Sequence, residues 1–129
     1  MLPAEARMRS SQEFRSTVRR GMRVGRPSLV VHADLVDDAP APAGGASPSA
    51  RVGFVVSKSV GNAVTRNRVK RRLRHMVAAR LSSVGELSPF LRVVVRALPA
   101  AAQQPERLGR DFASAWQSSL DRLSARADR

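Results

Sequence analysis

Between Arg51 and Arg80 the chain carries nine basic residues (Arg51, Lys58, Arg66, Arg68, Lys70, Arg71, Arg72, Arg74, Arg80) and no acid, and six of them fall between Arg66 and Arg74. Within that window Val69, Leu73, Met76 and Val77 recur at helical spacing, so the pattern predicts a helix from Asn62 to about Ser82. Arg68, Arg71 and Arg74 then project from the side opposite this apolar stripe. With no acids at i±4 the like charges repel and destabilise the isolated helix. Such a helix persists when its stripe docks on a core and a polyanion supplies the missing charge outside. A merely solvated basic face is the bland alternative, and the absence of any acid across the window weighs against it.

The whole chain repeats the message, with 23 Lys and Arg against 10 Asp and Glu, a net charge of +13 and a pI near 12.0. A domain this basic repels itself unless a polyanion is present; nucleic acid is the usual one and a membrane surface the main competitor. Lysine occurs only at Lys58 and Lys70. Arginine grips phosphate bidentately and stacks on bases. A GC-rich coding sequence would also favour Arg, Ala and Pro, so the bias alone decides little. A second basic cluster (Arg7, Arg9, Arg15, Arg19, Arg20, Arg23, Arg26) is opposed only by Glu13. Two clusters apart in sequence mean either one long footprint or two separate contacts.

The remaining elements follow from local signals. Ser10 followed by Glu13 is a capping box and Gly21 a stop, which predicts a helix over Ser11 to Arg20 with Phe14 and Val18 on one face. Ser28 to Val36 and Arg51 to Ser57 read as strands, joined as a long hairpin by the Pro-, Gly- and Ala-rich loop from Asp37 to Ala50. Leu91 to Leu98 is a further strand closed by Pro99, and Gly85 closes the basic helix. From Glu106 onward, Leu108, Phe112, Trp116, Leu120 and Leu123 predict a closing amphipathic helix.

The expected fold is therefore a single α+β domain over 1–129, with helices on one face of a small, mostly antiparallel four-stranded sheet. Residues 37–50 are expected as a flexible loop and 1–6 and 125–129 as disordered tails. With 43% hydrophobic and only 4% aromatic residues, its core must be built mainly from Val, Leu and Ala. The absence of cysteine excludes a disulfide scaffold, a thiolate zinc site and a thiol nucleophile. No apolar run approaches the roughly 18 residues of a membrane span, and the N-terminus lacks a continuous apolar region, so a cytoplasmic protein is expected.

The run Lys58-Ser59-Val60-Gly61-Asn62-Ala63-Val64-Thr65-Arg66-Asn67-Arg68-Val69-Lys70-Arg71-Arg72-Leu73-Arg74 resembles the signature of the bacterial ribonuclease P protein family. The strand before it, Arg51 to Ser57, is also similar. Looser likeness extends to Arg7, Phe14 and Gly21 on one side, and to Val93 to Arg96 and Trp116 on the other. The resemblance implies a left-handed crossover between parallel strands flanking the Arg-rich helix, where the general rule gives a right-handed one. It implies that Arg66, Asn67, Arg68, Lys70, Arg71 and Arg74 bind the catalytic RNA subunit. It implies further that Arg7, Arg9, Phe14, Ser57 and Lys58 line a cleft for the 5′ leader of precursor tRNA. Basic side chains would neutralise phosphates, and Phe14 would stack a base. Mg2+ would be bound mainly by the RNA subunit and substrate and not by the protein alone, which needs no obligate protein partner and no membrane. One departure concerns the cleft, where family members often place further aromatics: this chain has Val18, and Val31 or His32.

Other features suggest chemistry only weakly. His32 and His75 have no carboxylate at a recognisable spacing, and Asp34, Asp37 and Asp38 read better as a strand end than as a magnesium cluster. Trp116 lies on an apolar stripe and is expected in the core. Gly61 lacks the rest of a phosphate-binding loop and is expected as the turn admitting the helix. Two other classes compete: a structural rRNA-binding protein, which needs no cleft for a free strand, and a duplex-DNA binder with the basic helix in the major groove. Charge around most of the helix's exposed arc suits backbone contact better than base readout.

Overall fold

Val69, Leu73 and Val77 do dock the basic helix onto the core. The computed structural model describes residues 6–8, 10–36, 50–84, 87 and 90–127. Its elements are α1 (Ser11–Arg20), β1 (Met22–Arg26), β2 (Leu29–Leu35), β3 (Arg51–Val55), α2 (Ala63–Arg80), β4 (Leu91–Ala97), α3 (Ala100–Gln103) and α4 (Pro105–Ala127). The sheet order is β1-β2-β4-β3. β1 with β2 and β2 with β4 are antiparallel, whereas β3 and β4 are parallel and joined through α2.

The expected hairpin between the second and third strands does not form. β4 lies between β2 and β3, and residues 37–49 of the connecting segment lie outside the described residues. The reason is in β4 itself. Leu91, Val93, Val94 and Val95 are all buried, so this strand takes a central position covered on both faces. The fourth strand, MRVGR at β1, escaped the sequence reading because Arg alternates there with apolar residues and Gly25 reads as a breaker.

Alternation along the strands separates two faces. Val24, Leu29, Val31, Ala33, Val52, Leu91, Val93 and Val95 join the main core, with Leu108, Phe112, Trp116 and Leu123 of α4 and the α2 stripe. Phe112 and Trp116 have ring centroids 5.5 Å apart. The opposite face carries Arg51 and Gly53 of β3, Arg92, Val94 and Arg96 of β4, and Val30, His32 and Asp34 of β2. α1 lies there, so the helices cover both faces instead of one. Phe14 packs on Gly53, and Glu13 pairs with Arg92 and Arg51.

Capping explains the helix starts. Ser10 Oγ accepts from the N–H groups of Gln12 (3.2 Å) and Glu13 (3.4 Å), the first half of the expected box. The second half is not made: the Glu13 carboxylate turns to the sheet arginines. Asn62 Oδ1 accepts from Thr65 N–H at 2.9 Å and starts α2. Gly61, with φ +157°, admits that turn, and a β-carbon there would meet Thr65 Cγ2 at 2.9 Å. The tails expected at 1–6 and 125–129 are partly ordered. Ala6 is buried in the core because the segment beside it hydrogen-bonds along β3, Met8 N–H donating to Val52 O at 3.0 Å. α4 continues helically to Ala127, while 1–5 and 128–129 lie outside the described residues.

Candidate RNA-binding surfaces

The basic residues of α2 divide by helical position. Asn67, Arg68 and Arg71 form an exposed crest with Val64, which is 67% exposed, and His75. Arg66, Lys70 and Arg74, spaced four apart, form a half-buried flank. Arg74 therefore belongs to this flank and not to the crest. Arg72 faces the other way, donating from Nη1 to Pro105 O at 3.0 Å, so one cation of the run holds α2 to the start of α4. Arg51 is likewise structural, with Nη1 3.5 Å from Glu13 Oε2. The charge relief missing within the Arg51–Arg80 window comes partly from another helix, which spacing along one element cannot show.

The flank meets the N-terminal cluster at the outer edge of β3. A notch of about 150 Å³ there is lined by Arg7, Met8, Phe14, Val52, Gly53, Phe54, Lys70 and Arg74. It brings together two residues expected at the leader cleft (Arg7, Phe14) and two expected at the RNA subunit (Lys70, Arg74). Arg7 is bridged to Val52 of β3. Ser57 and Lys58 are exposed in the short turn after β3, Ser57 Oγ lying 2.8 Å from Ser59 Oγ, and they do not line this notch. Arg9 lies outside the described residues, as do Asp37 and Asp38.

The sheet face beneath α1 contributes residues that the motif did not name. His32 pairs across the strands with Arg23 and Val94, and Arg96 is two residue pairs along on the same face, opposite Val30. His32 is 6% exposed and its Nδ1 is enclosed with no hydrogen-bond partner. Burial, followed by the charges of Arg23 and Arg96, pushes its imidazole below the ordinary value, which keeps it neutral. Arg92 is nearly inaccessible, with Nε 3.1 Å from Glu13 Oε1; burial lowers its guanidinium pKa while Glu13 opposes that shift. Arg92 and Arg96 could have been found from the run LRVVVRA, where two arginines at even spacing mark a face that is not apolar core. A larger pocket of about 410 Å³ opens beside α1 between Ser10, Glu13, Thr17, Asp34, Arg51 and Arg92.

Val18 is 42% exposed and Val31 fully buried on the other face of the sheet, so neither replaces the aromatics that the resemblance leads one to expect. His32 is the ring that stands on the α1 side. It lies on the opposite side of the sheet from His75. Trp116 is core, as expected. Among the described residues no group of three His, Cys, Asp or Glu side chains could hold a metal ion, and no helix is long and apolar enough to cross a membrane.

A mixed four-stranded sheet with an acid-free cationic helix crossing between its parallel strands defines a basic, nucleic-acid-binding α+β protein. The family described as Ribonuclease P matches residues 2–119. The ribonuclease P protein component of Streptomyces bikiniensis is 51% identical over 121 residues, 93% of this chain and 96% of that protein. That of Kocuria rhizophila is 49% identical over 96% of this chain and all of its own length, 100%. The solved structure of the Staphylococcus aureus RNase P protein superposes with a TM-score of 0.71 at 21% identity, over 87% of this chain and 93% of that one. The Thermotoga maritima RNase P protein gives 0.59 at 23%, over 91% and 93%. The chain belongs to the ribonuclease P protein family, and its role is that of the protein component in an endoribonuclease holoenzyme.

Proposed function

We propose that this protein binds the catalytic RNA of ribonuclease P through the crest of α2 and the 5′ leader of precursor tRNA through the α1 side of the sheet. It would thereby promote removal of the leader to give the mature tRNA 5′ end. The observation that carries the reading is the division of basic surface. Asn67, Arg68 and Arg71 stand exposed on a helix docked to one side of the sheet, while Phe14, Arg23 and Arg96 stand on the other. Arginines on a convex ridge suit the phosphates of a folded RNA, and Asn67 can donate and accept at a sugar or base edge. Phe14 offers a ring and Arg7 a cation to a single strand.

Hydrolysis would be left to the RNA, with Mg2+ held by RNA and substrate phosphates stabilising the attacking and leaving oxygens. The protein's own residues would lower the repulsion between substrate and RNA subunit, so that both substrate and metal bind at lower Mg2+. This places its work in the cytoplasm, where precursor tRNA is matured.

The test is affinity for the RNA subunit across a salt series. Arg68→Gln/Arg71→Gln should weaken binding about tenfold or more and lower the slope of log K against log salt by about 1.4 to 1.8. Unchanged affinity and slope would remove the crest from the interface.

A further inference from the structure

We propose that the notch at the outer edge of β3 is a phosphate site for the leader strand, and that Lys70 and Arg74 serve the substrate and not the RNA subunit. This inference rests on the leader-binding reading above and reassigns two cations of the basic helix.

Four separate parts of the chain build the notch: the N-terminal segment at Arg7 and Met8, the Phe14 ring of α1, the edge of β3 from Val52 to Phe54, and the flank of α2 at Lys70 and Arg74. The segment from Ala6 to Met8 is fixed there by the Arg7–Val52 bridge and by Met8 N–H donating to Val52 O. The walls are therefore set by backbone pairing and not by surface side chains alone. At about 150 Å³ the space is well below the roughly 300–1,000 Å³ of small-molecule pockets, yet its mouth is cationic. No carboxylate is among the described residues lining it, and α2 has no acid anywhere along its length. Holding Lys70 and Arg74 four residues apart on one flank costs repulsion that a bound phosphate relieves.

Position selects the strand. Lys70 and Arg74 are half-buried behind the crest, on the flank that turns toward Phe14, whereas Arg68 and Arg71 are exposed on the crest itself. A bulky folded RNA resting on the crest reaches Arg68 and Arg71 first. A single strand leaving the sheet face passes over the β3 edge, with a base against Phe14 and the adjoining phosphate between Lys70 and Arg74. That arrangement combines a stacking ring with a cationic track, which is how single strands are held without duplex geometry. It also makes the two basic clusters one footprint, continuous around the edge of the sheet.

The experiment uses the full-length protein reconstituted with its RNA subunit. Dissociation constants are measured for precursor tRNAs carrying a leader of about two nucleotides or one of about ten. Lys70→Gln/Arg74→Gln should weaken binding of the long-leader substrate about tenfold and lower its salt slope by about 1.4. The short-leader substrate and the affinity for the RNA subunit should change less than about twofold. Lys70→Arg/Arg74→Lys, which keeps both charges, should restore long-leader binding and exclude a folding defect. Arg68→Gln/Arg71→Gln should show the reverse pattern. If Lys70→Gln/Arg74→Gln instead weakens the RNA subunit as Arg68→Gln/Arg71→Gln does, the notch belongs to that partner and the proposal is overturned. Equal loss on both leaders, or none on either, overturns it as well. If the wild-type holoenzyme itself shows no preference for the longer leader, the leader-binding reading beneath the proposal fails, a result visible before any variant is made.

Discussion

The ring of Phe14 lies directly over the Cα of Gly53, so close that a β-carbon at position 53 would fall well inside the 3.0 Å that real β-carbons keep from other atoms. The missing side chain on β3 is what lets α1 sit on the sheet and sets the floor of the notch. Gly53→Ala should force the ring aside, cost about 1–3 kcal/mol of stability, and weaken long-leader binding without touching RNA-subunit affinity. Phe14→Ala/Gly53→Ala should lose much less than the sum of the two single changes, because the clash is gone. Chemical denaturation of the four proteins checks this, and additive losses would contradict it.

Glu13 holds two arginines at once, at 3.1 Å from Arg92 and 3.5 Å from Arg51. Glu13→Gln leaves the buried Arg92 charge without its counter-charge. The expected cost is about 2–3 kcal/mol, below the roughly 3–5 of a fully buried pair because Glu13 keeps 18% exposure. A denaturation series on Glu13→Gln, Arg92→Met and the double variant reads the coupling directly. Independent effects would mean that the pair contributes nothing.

His32 makes stability depend on pH in one direction. Its folded pKa is lowered below the ordinary 6.5, so between the two values the unfolded chain binds more protons. Stability is fully present above pH 6.5 and falls as pH drops below it, until folded His32 itself takes a proton. His32→Gln should flatten that part of the profile. Thermal unfolding from pH 8 to 5 measures it; an identical slope in the variant would assign the pH dependence elsewhere.

Asp111 ties α4 to the start of β2, accepting from Ser28 N–H at 3.1 Å and Ser28 Oγ–H at 2.7 Å. Asp111→Ala should destabilise by about 1–3 kcal/mol, since it strands buried donors, while RNA affinity at low temperature stays unchanged. A loss of affinity in the folded variant would place α4 in the interface.

The apolar periodicities of α2 and α4 and the Ser10 cap are local signals, and they were legible in the sequence; Asn62, read there as the first helical residue, is the cap of α2. The order of the strands was not: that β4 separates β2 from β3 depends on which strand best tolerates cover on both faces. β1 was missed because Met22, Val24 and the intervening Arg23 show the alternation of an edge strand over too few residues. At the candidate site, the motif named the residues of α2 but not their division into crest and flank, since Asn67, Arg68 and Arg71 differ from Lys70 and Arg74 only through what packs beside the helix. The partners of Arg51, Arg72 and Arg92 come from distant segments, which no spacing along one element reveals. That His32 is buried on the α1 side of the sheet became visible only once β2 was placed beneath α1.

The most direct test of the account is cleavage of precursor tRNA by the matching RNA subunit at low Mg2+ and moderate salt, with and without this protein, beside Arg68→Ala/Arg71→Ala. The wild-type protein should restore cleavage at the mature 5′ end, and the double variant should restore it only when added at much higher concentration. Tight RNA binding by the wild type with no restored cleavage would contradict the proposed role.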